Sequence, residues 1–258
     1  MKSNRFRQAL SEKGMAVGHM ITEFACRGTP HMLEVADLDF ALIDCEHTGL
    51  GVGDVADLIG WFRATSVAPF VRVPQLQYHF IARTLDLGAL GIMVPNVRNA
   101  DEARAIVDAA KYAPLGKRGV GLGGANTDYR SVVPTEYIRS ANQNTTVICQ
   151  IESAEALDDL EAIASVPGVD VLWVGHFDLS QSMGIVGELD HPALLDALRR
   201  VARTAREHGL AAGVQPNSIE QTREWMELGF NVISCSNDKR LYSKALSSVA
   251  AEVRQNAP

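Results

Sequence analysis

The chain has 258 residues, of which 47% are hydrophobic and 21% charged, and its formal net charge is −7 at pH 7. This composition is typical of a globular protein with enough apolar material for one large core. The acidic balance and the lack of a Lys/Arg block argue against a nucleic-acid partner.

Short apolar runs rich in β-branched residues alternate with helical segments from one end of the chain to the other. The predicted strands are 15–21, 40–44, 69–73, 89–94, 146–151, 171–175, 211–214 and 231–235. Helix starts are predicted at Thr29-Pro30, at Asn99, at Asp190 to Pro192 and at Asn217, where Asn217 to Glu220 has capping-box spacing. Eight strand–helix units without a linker predict one α/β domain over residues 1–258, folded as a (β/α)8 TIM barrel. An open doubly wound sheet is the competitor, but it usually binds ligands at one switch point.

Two segments interrupt the alternation. Residues 117–125 are rich in glycine, but their spacing matches neither common phosphate-loop motif. We therefore expect an active-site loop there, either mobile or closely packed, and no nucleotide site. Residues 239–255 look amphipathic, and they are either the eighth barrel helix or an arm that docks on a neighbouring subunit.

The four cysteines are widely spaced and form no CxxC pair. Cys149 and Cys235 lie in apolar strands, which predicts buried free thiols in a reducing compartment. Cys45 stands beside His47, and we interpret it as packing rather than as a nucleophile. The N-terminus lacks a signal peptide and no run could span a bilayer, so we expect a cytoplasmic protein without a membrane partner.

Polar residues follow most of the predicted strands, and in a barrel of this kind the carboxyl ends of the strands carry the functional groups. Glu152 and Asp178 follow the fifth and sixth strands. Either acid alone would be read as a helix cap or as the partner of a base. As a pair at neighbouring strand ends they favour a site for Mg²⁺ or Mn²⁺, which bind hard oxygen ligands.

The second and third strands deliver a possible base and a fixed cation. Arg72 could hold a substrate carboxylate or a developing enolate oxygen, or it could pair structurally with Asp44 or Glu46. The sequence leaves these two readings open. His47 is placed to titrate in the barrel mouth, with Asp44 or Glu46 near enough in sequence to orient it. His176, after the sixth strand, is a competing base or ligand.

Five motifs, in this order along nearly the whole chain, resemble the HpcH/HpaI family. These are the metal-dependent class II pyruvate aldolases typified by 4-hydroxy-2-oxoheptanedioate aldolase. The motifs are Leu42-Ile43-Asp44-Cys45-Glu46-His47, Val71-Arg72-Val73-Pro74, Val94-Pro95-Asn96-Val97, Gln150-Ile151-Glu152, and Gly175-x-x-Asp178-Leu179-Ser180-x-x-Met183-Gly184.

The resemblance implies a TIM barrel that forms a homo-oligomer, a trimer or a hexamer, with the last helix exchanged between neighbours. It implies that Glu152 and Asp178 hold a divalent ion, which would be Mg²⁺, Mn²⁺ or Co²⁺. Arg72 would contact the keto oxygen and stabilise the enolate. His47 would be the acid/base, oriented by Asp44.

The resemblance also implies a substrate carboxylate bound at the backbone amides around Phe177 and Asp178, a use of a helix N-terminus that physics favours. Gln150, Gly175 and His176 would complete this substrate site. Asp86 matches a family acid that supports the site across a subunit contact. The family usually has Pro where His176 stands and a small residue where Phe177 stands. The loop over residues 123–130 also differs, so the aldehyde half of the substrate is the least transferable part.

The expected reaction is reversible cleavage of a 4-hydroxy-2-oxo acid, through a metal-stabilised enolate, to pyruvate or hydroxypyruvate and an aldehyde. The lysines Lys111, Lys117 and Lys239 fall in helices or loops, which argues against a Schiff-base aldolase. Alternatives are an oxaloacetate decarboxylase-type relative and an acyl-CoA lyase. The lyase needs a basic patch that the mouth loops do not show. A non-catalytic 2-oxo acid binding protein is the remaining alternative.

Overall fold

The computed structural model describes residues 2–256, and within them eight parallel strands form a closed barrel in chain order, with β8 pairing to β1. The predicted (β/α)8 TIM barrel, folded as a single domain, is confirmed. Every predicted strand is present, with ends at most two residues away from the predicted ones. The strands are β1 Ala16–Ile21, β2 Phe40–Asp44, β3 Ala68–Arg72, β4 Gly91–Val94, β5 Thr146–Ile151, β6 Val171–Val174, β7 Ala211–Val214 and β8 Val232–Asn237.

Helices follow the strands, and one helix precedes β1. Caps fix several starts: the side chains of Asn99, Ser218 and Asn237 each accept a hydrogen bond from a backbone amide of the first turn, at 2.9 to 3.1 Å. The helices are α1 Arg5–Lys13, α2 Thr29–Val35, α3 Val52–Phe62, α4 Tyr78–Asp86, α5 Ala100–Ala110, α6 Pro134–Asn144, α7 Ala154–Asp158, α8 Leu160–Ala164, α9 His176–Ser182, α10 Pro192–Glu207, α11 Ile219–Glu227 and α12 Asp238–Gln255.

Large aromatic side chains fill the barrel interior and leave its carboxyl end open. Phe6 of α1 enters from the amino end, with its ring centroid 5.4 Å from that of Phe40 and 4.9 Å from that of Phe70. Trp173 lies against Gly213 of β7, where any β-carbon would overlap the indole ring. Because the amino end is plugged in this way, the polar side chains at the other end line the accessible space.

The glycine-rich segment does not reach that open end in its own chain. The amide of Gly119 donates to the Tyr78 hydroxyl at 2.8 Å, and Arg63 donates to the carbonyl of Ala125. Pro69 and Leu90, at the amino ends of β3 and β4, lie against the same segment. Within one chain, none of residues 117–125 lines the cavity at the carboxyl end, so the chain's own barrel does not use this segment as an active-site loop. The reason is positional, since the segment connects a helix to the next strand and such connections lie at the amino end of a barrel.

The last helix leaves the barrel surface. Asp238 is buried, but every other residue of α12 except the half-buried Ala250 is exposed, including several large apolar side chains. Ile233 of β8 is buried, but Cys235, two residues later, is exposed where the sequence predicted a buried thiol. Among residues 2–256, no helix has both the length and the apolar character to cross a membrane. The exposed apolar residues of α12 are Leu241, Tyr242, Leu246, Val249 and Val253.

Candidate active site

A cavity of about 330 Å³ opens at the carboxyl ends of the strands, and we call it the mouth cavity. Ligand sites of barrels lie at this end. Another cavity of about 330 Å³, at the amino end beneath α1, has Arg7 and Asp170 on its wall, paired with each other at 2.7 Å. The mouth cavity is lined by Met20, Thr22, Asp44, His47, Arg72, Gln150, Trp173, Val174, Gly175, His176, Phe177, Asp178, Gln215, Asn217, Asn237, Lys239 and Arg240.

Arg72 is a buried guanidinium held by two carboxylates at the floor of this cavity. Its Nε and Nη2 donate to the two oxygens of Asp44 at 2.9 and 2.8 Å, and its Nη1 lies 3.1 Å from Oε2 of Glu46. Burial acts to lower the pKa of Arg72, but the Asp44 carboxylate outweighs it and the pKa is raised. The structural pairing of Arg72 with Asp44 and Glu46 is present, and the guanidinium also lines the cavity. Its contact with a substrate stays a prediction.

The two acids beside Arg72 respond differently. For Asp44, burial acts to raise the pKa, but the bidentate pair with Arg72 lowers it below the usual value. For Glu46, burial dominates, the charges of Asp44 and Asp178 add to it, and the pKa is raised in spite of Arg72. Asp44 is therefore the fixed anionic partner of the guanidinium.

The His47 side chain projects to the rim and is 64% exposed. Its Nε2 lies 3.7 Å from Oε2 of Glu46, while the Asp44 carboxylate accepts from the backbone amide of His47 at 3.4 Å. The acid near the imidazole is thus Glu46. This differs from the expected support of the ring by Asp44, because Arg72 already occupies both Asp44 oxygens.

Glu152 lies buried at the end of β5 with both carboxylate oxygens engaged. Oε1 accepts from the amide of Asn96 at 2.6 Å, and Oε2 accepts from Nε2 of Gln150. Burial raises the pKa of Glu152 to about 7, and the charges of Glu46 and Asp178 add to the increase, while the two hydrogen bonds oppose it.

Gly175 is required beside this carboxylate. A β-carbon at position 175 would overlap Oε2 of Glu152 and press on Nε2 of Gln150. On the same side chain, Oε1 of Gln150 is buried and has no hydrogen-bond partner among the described residues. The close approach of Gly175 therefore leaves one unpaired acceptor, Oε1 of Gln150, on a residue that lines the cavity.

The residues present fit a divalent cation that is bound only in part by protein. Asp178, in the first turn of α9, lines the cavity, and its charge adds slightly to the rise that burial causes in the pKa of Glu152. Among residues 2–256, no cluster of three or more His, Cys, Asp or Glu side chains would enclose a metal. Asp178 lines the cavity, whereas Glu152 lies behind Gly175 and outside the lining. A pair of carboxylates of this kind, with so few protein ligands, suits an ion that keeps several waters or takes substrate oxygens, as Mg²⁺ does.

His176 is a buried neutral ring and therefore a weak base. Burial lowers the pKa of His176 to about 4, so the imidazole carries no charge at neutral pH. It packs edge-on against Trp225 at 5.1 Å between ring centroids, and its Nε2 lies 3.3 Å from Nδ2 of Asn217. His176 thus places a ring nitrogen within hydrogen-bond distance of Asn217 at the cavity wall.

Two predicted features lie outside the mouth cavity. Asp86, at the end of α4, pairs with Nη2 of Arg118 at 2.6 Å and does not line the cavity of its own chain. Cys45 lines a separate apolar cavity of about 100 Å³. Burial raises the pKa of Cys45 to about 12, which keeps the thiol protonated and agrees with its interpretation as packing.

Sequence reasoning missed two cations at this site. Lys239 and Arg240 occupy the first turn of α12 directly after β8, and both line the mouth cavity. The statement that the mouth loops hold no basic cluster is therefore wrong. The signal was available, because both residues follow the strand-end residues Ser236 and Asn237. Lys239 is exposed, so it lacks the apolar surroundings that a Schiff-base lysine needs.

The family model described as "HpcH/HpaI aldolase/citrate lyase" matches residues 27–245. The chain belongs to this family. A hydroxypyruvate/pyruvate aldolase from Cupriavidus necator is 32% identical over 256 residues, covering 98% of this chain and 93% of the relative. A 4-hydroxy-2-oxovalerate aldolase from Rhodococcus jostii is 35% identical over 260 residues, covering 98% and 97%. The crystal structure of an HpcH/HpaI aldolase from Desulfitobacterium hafniense has a TM-score of 0.91 at 30% identity, covering 98% of this chain and 97% of that one.

These relatives establish the reaction class. This HpcH/HpaI family member is an enzyme, a carbon–carbon lyase of the aldolase type that acts on small molecules. The resemblance carried by the five sequence motifs is confirmed.

Proposed function

We propose that the enzyme catalyses metal-dependent, reversible cleavage of a 4-hydroxy-2-oxo acid to pyruvate or hydroxypyruvate and an aldehyde. The observation that carries the proposal is the buried Arg72 guanidinium, which shares one cavity with Asp178 and lies near Glu152. The names of the relatives, one a hydroxypyruvate/pyruvate aldolase and one a 4-hydroxy-2-oxovalerate aldolase, support the same substrate class.

Cleavage breaks the bond between C3 and C4 and leaves its electron pair on the 2-oxo acid as an enolate. A divalent cation, Mg²⁺, Mn²⁺ or Co²⁺, held by Glu152 and Asp178 would supply Lewis-acid polarisation of the 2-oxo carbonyl. Arg72 offers a positive charge that is already fixed by Asp44 and Glu46. Such a preorganised donor to a developing oxyanion contributes roughly 3 kcal/mol to barrier lowering.

The other residues bind and move protons. The first-turn amides of α9 at Phe177 and Asp178 have no intrahelical acceptor, and they would receive the substrate carboxylate beside Gly175. His47, at the rim, would take the proton of the 4-hydroxyl as C4 becomes a carbonyl. General-base help of this kind is worth about 10²–10⁴ in rate. The enolate then takes a proton at C3 and leaves as the free 2-oxo acid.

The test is NMR of pyruvate and hydroxypyruvate in D₂O with metal-stripped enzyme, before and after addition of Mg²⁺, Mn²⁺ or Co²⁺. We expect the C3 proton signals to be lost only when an ion is present, and Arg72→Ala to prevent the loss. Because exchange needs no aldehyde, it tests enolate formation alone. A folded enzyme that exchanges no protons with any ion would contradict the proposal and favour a 2-oxo acid binding protein.

We also propose that the chain forms a homo-oligomer, a trimer or a hexamer, through the exchange of α12 between copies. Support comes from the row of apolar side chains that α12 leaves exposed in its own chain. A cytoplasmic location is proposed on the four cysteines, all of which are free thiols.

A further inference from the structure

The start of α12 brings two positive charges to the rim of the mouth cavity. Lys239 and Arg240 line the same space as Arg72 and Asp178. The carboxylates of Asp44 and Glu46 both pair with Arg72. By contrast, no ion pair within residues 2–256 involves Lys239 or Arg240. The rim therefore carries positive charge that the protein does not neutralise.

Arg240 is held in place by a neutral residue. Its Nη1 donates to Oδ1 of Asn217 at 2.6 Å, and its Nη2 donates to the carbonyl of Asn217 at 3.2 Å. The amide nitrogen of Asn217 lies 3.3 Å from the buried Nε2 of His176. A guanidinium has five N–H donors, so these contacts leave three of them free while fixing its plane.

The neighbouring acid, Asp238, is committed elsewhere. Its carboxylate accepts from the amides of Thr22, Glu23 and Phe24 at 2.7 to 3.1 Å and from the Thr22 hydroxyl at 2.5 Å. These donors belong to the segment after β1, so Asp238 anchors the first turn of α12. It contacts the backbone amide of Lys239 at 2.8 Å.

The positions of the strands separate this cationic rim from the enolate end of the site. In a closed barrel of eight strands, β8 lies opposite β4. The strands on either side of β4 carry Arg72 and Glu152 at their ends. A substrate whose 2-oxo carbonyl faces Arg72 would have the rest of the mouth cavity, toward Lys239 and Arg240, for its other end.

We propose that Lys239 and Arg240 form an acceptor subsite that selects aldehydes bearing an anionic group, a carboxylate or a phosphate. The inference rests on the proposed aldol reaction and adds the class of its second substrate. Arg240 offers a planar set of donors suited to either anion, and Lys239 adds a mobile charge. Asn217 is a positioning residue that acts through Arg240.

The test compares matched aldehydes in aldol addition of pyruvate. Succinic semialdehyde is paired with its methyl ester, and glyceraldehyde 3-phosphate with glyceraldehyde. For each pair, the ratio of kcat/KM for the charged aldehyde to that for the neutral one reports the subsite. The pair with the larger ratio in the wild type identifies carboxylate or phosphate as the preferred group.

We expect the preferred ratio to fall about tenfold in Lys239→Gln and in Arg240→Gln, and further in the double variant, as charge-assisted hydrogen bonds at a partly exposed site are lost. Asn217→Asp should also lower the ratio, because the new carboxylate would pair with Arg240. The control Lys244→Gln removes a charge from the same helix outside the cavity and should keep the wild-type ratio.

Two outcomes would overturn the subsite. One is a wild-type enzyme that adds pyruvate to aldehydes with no preference for charge. The other is a double variant that retains the wild-type ratio. Exchange of the pyruvate C3 protons is measured on the same samples. If exchange proceeds, either outcome rejects the subsite alone. If the wild type shows neither exchange nor aldol addition, the proposed function fails and the subsite fails with it.

Discussion

At the scale of single residues, the site is organised by burial and close approach more than by the number of charges. The Arg72 guanidinium is 8% exposed, and it keeps its charge because Asp44 and Glu46 surround it. Glu152 is about equally buried but has only neutral donors around it, so its pKa rises. A cation bound beside Glu152 would favour its carboxylate form and lower its pKa again.

Arg72→Lys should lower kcat for aldol cleavage about 10²- to 10³-fold, because an ammonium cannot keep the bidentate pair with Asp44 and also face the substrate. Steady-state kinetics with a 4-hydroxy-2-oxo acid provides the measurement, and a thermal melt checks the fold. A variant with kcat within twofold of the wild type would show that charge alone is needed.

The stability of the metal-free enzyme should depend on pH through Glu152. In the folded chain its pKa is about 7, against a usual value of 4.5, so the folded state binds more protons between these values. Stability therefore falls as the pH rises through this window. We expect this group to remove up to about 3 kcal/mol of the free energy of unfolding between about pH 5 and about pH 8.

Urea unfolding in the presence of a chelator measures this effect. Glu152→Gln removes the titration while keeping a similar shape, so its unfolding free energy should fall less with pH than that of the wild type. Other titrating groups, including His176, are common to both proteins and cancel in the comparison. Parallel pH profiles for the two proteins would refute the assignment.

Gly175→Ala should abolish most activity, because its methyl group would displace the Glu152 carboxylate and the Gln150 amide. The matched control is Gly53→Ala in α3, where a β-carbon meets no atom within 4 Å. That change should be neutral or slightly stabilising, since alanine favours helix. Steady-state kinetics measures the activity of both variants, and thermal melts check their folding. Equal activity in the two would mean that Glu152 and Gln150 can move to accept the methyl group without loss of function.

At the scale of elements, the junction of β8 and α12 serves both the fold and the site. The pairing of β1 with β8 shifts register between Gly18 and Met20, and just beyond this irregularity the Asp238 carboxylate binds the segment after β1. A side chain thus completes the closure of the barrel where the strand ladder is irregular.

Asp238→Asn should lower the free energy of unfolding by about 1–3 kcal/mol, because an amide has one oxygen for donors that now share two. The control Asp196→Asn breaks an exposed pair with Arg199 and should change stability by less than about 0.5 kcal/mol. Urea unfolding of both variants gives the comparison. Equal stability losses would argue against a special role for the junction.

Most of the fold was readable from the sequence because each strand is an apolar run bounded by Gly, Pro or a polar residue. The candidate site residues were readable for the same reason. Once the end of a strand is located in the sequence, the residues that follow it must lie at the carboxyl end of the barrel. Lys239 and Arg240 were missed because a helix follows β8 with no intervening loop. The buried state of Cys235 was wrongly predicted because the sequence does not say whether α12 covers its own barrel.

At the scale of the whole molecule, α12 is the helix whose large apolar side chains stay exposed in the single chain. Leu246 and Val249 lie on it, each more than half exposed. The double change Leu246→Glu and Val249→Glu should shift the enzyme to smaller species in light scattering coupled to gel filtration, because charged side chains resist burial between copies. Val186→Glu, at another exposed apolar position, is the control; the same mass for all three proteins would reject assembly through α12.

The last residue that lines the mouth cavity is Arg240, in the first turn of α12. The helix continues to Gln255 without adding another lining residue. The residues that we propose to select the aldehyde therefore lie in the first turn of α12, and those that we propose to pair two copies lie in the later turns. Because the two sets are separate along the chain, we expect substitutions in the later turns to change association without changing the cavity lining, and substitutions at Lys239 or Arg240 to do the reverse.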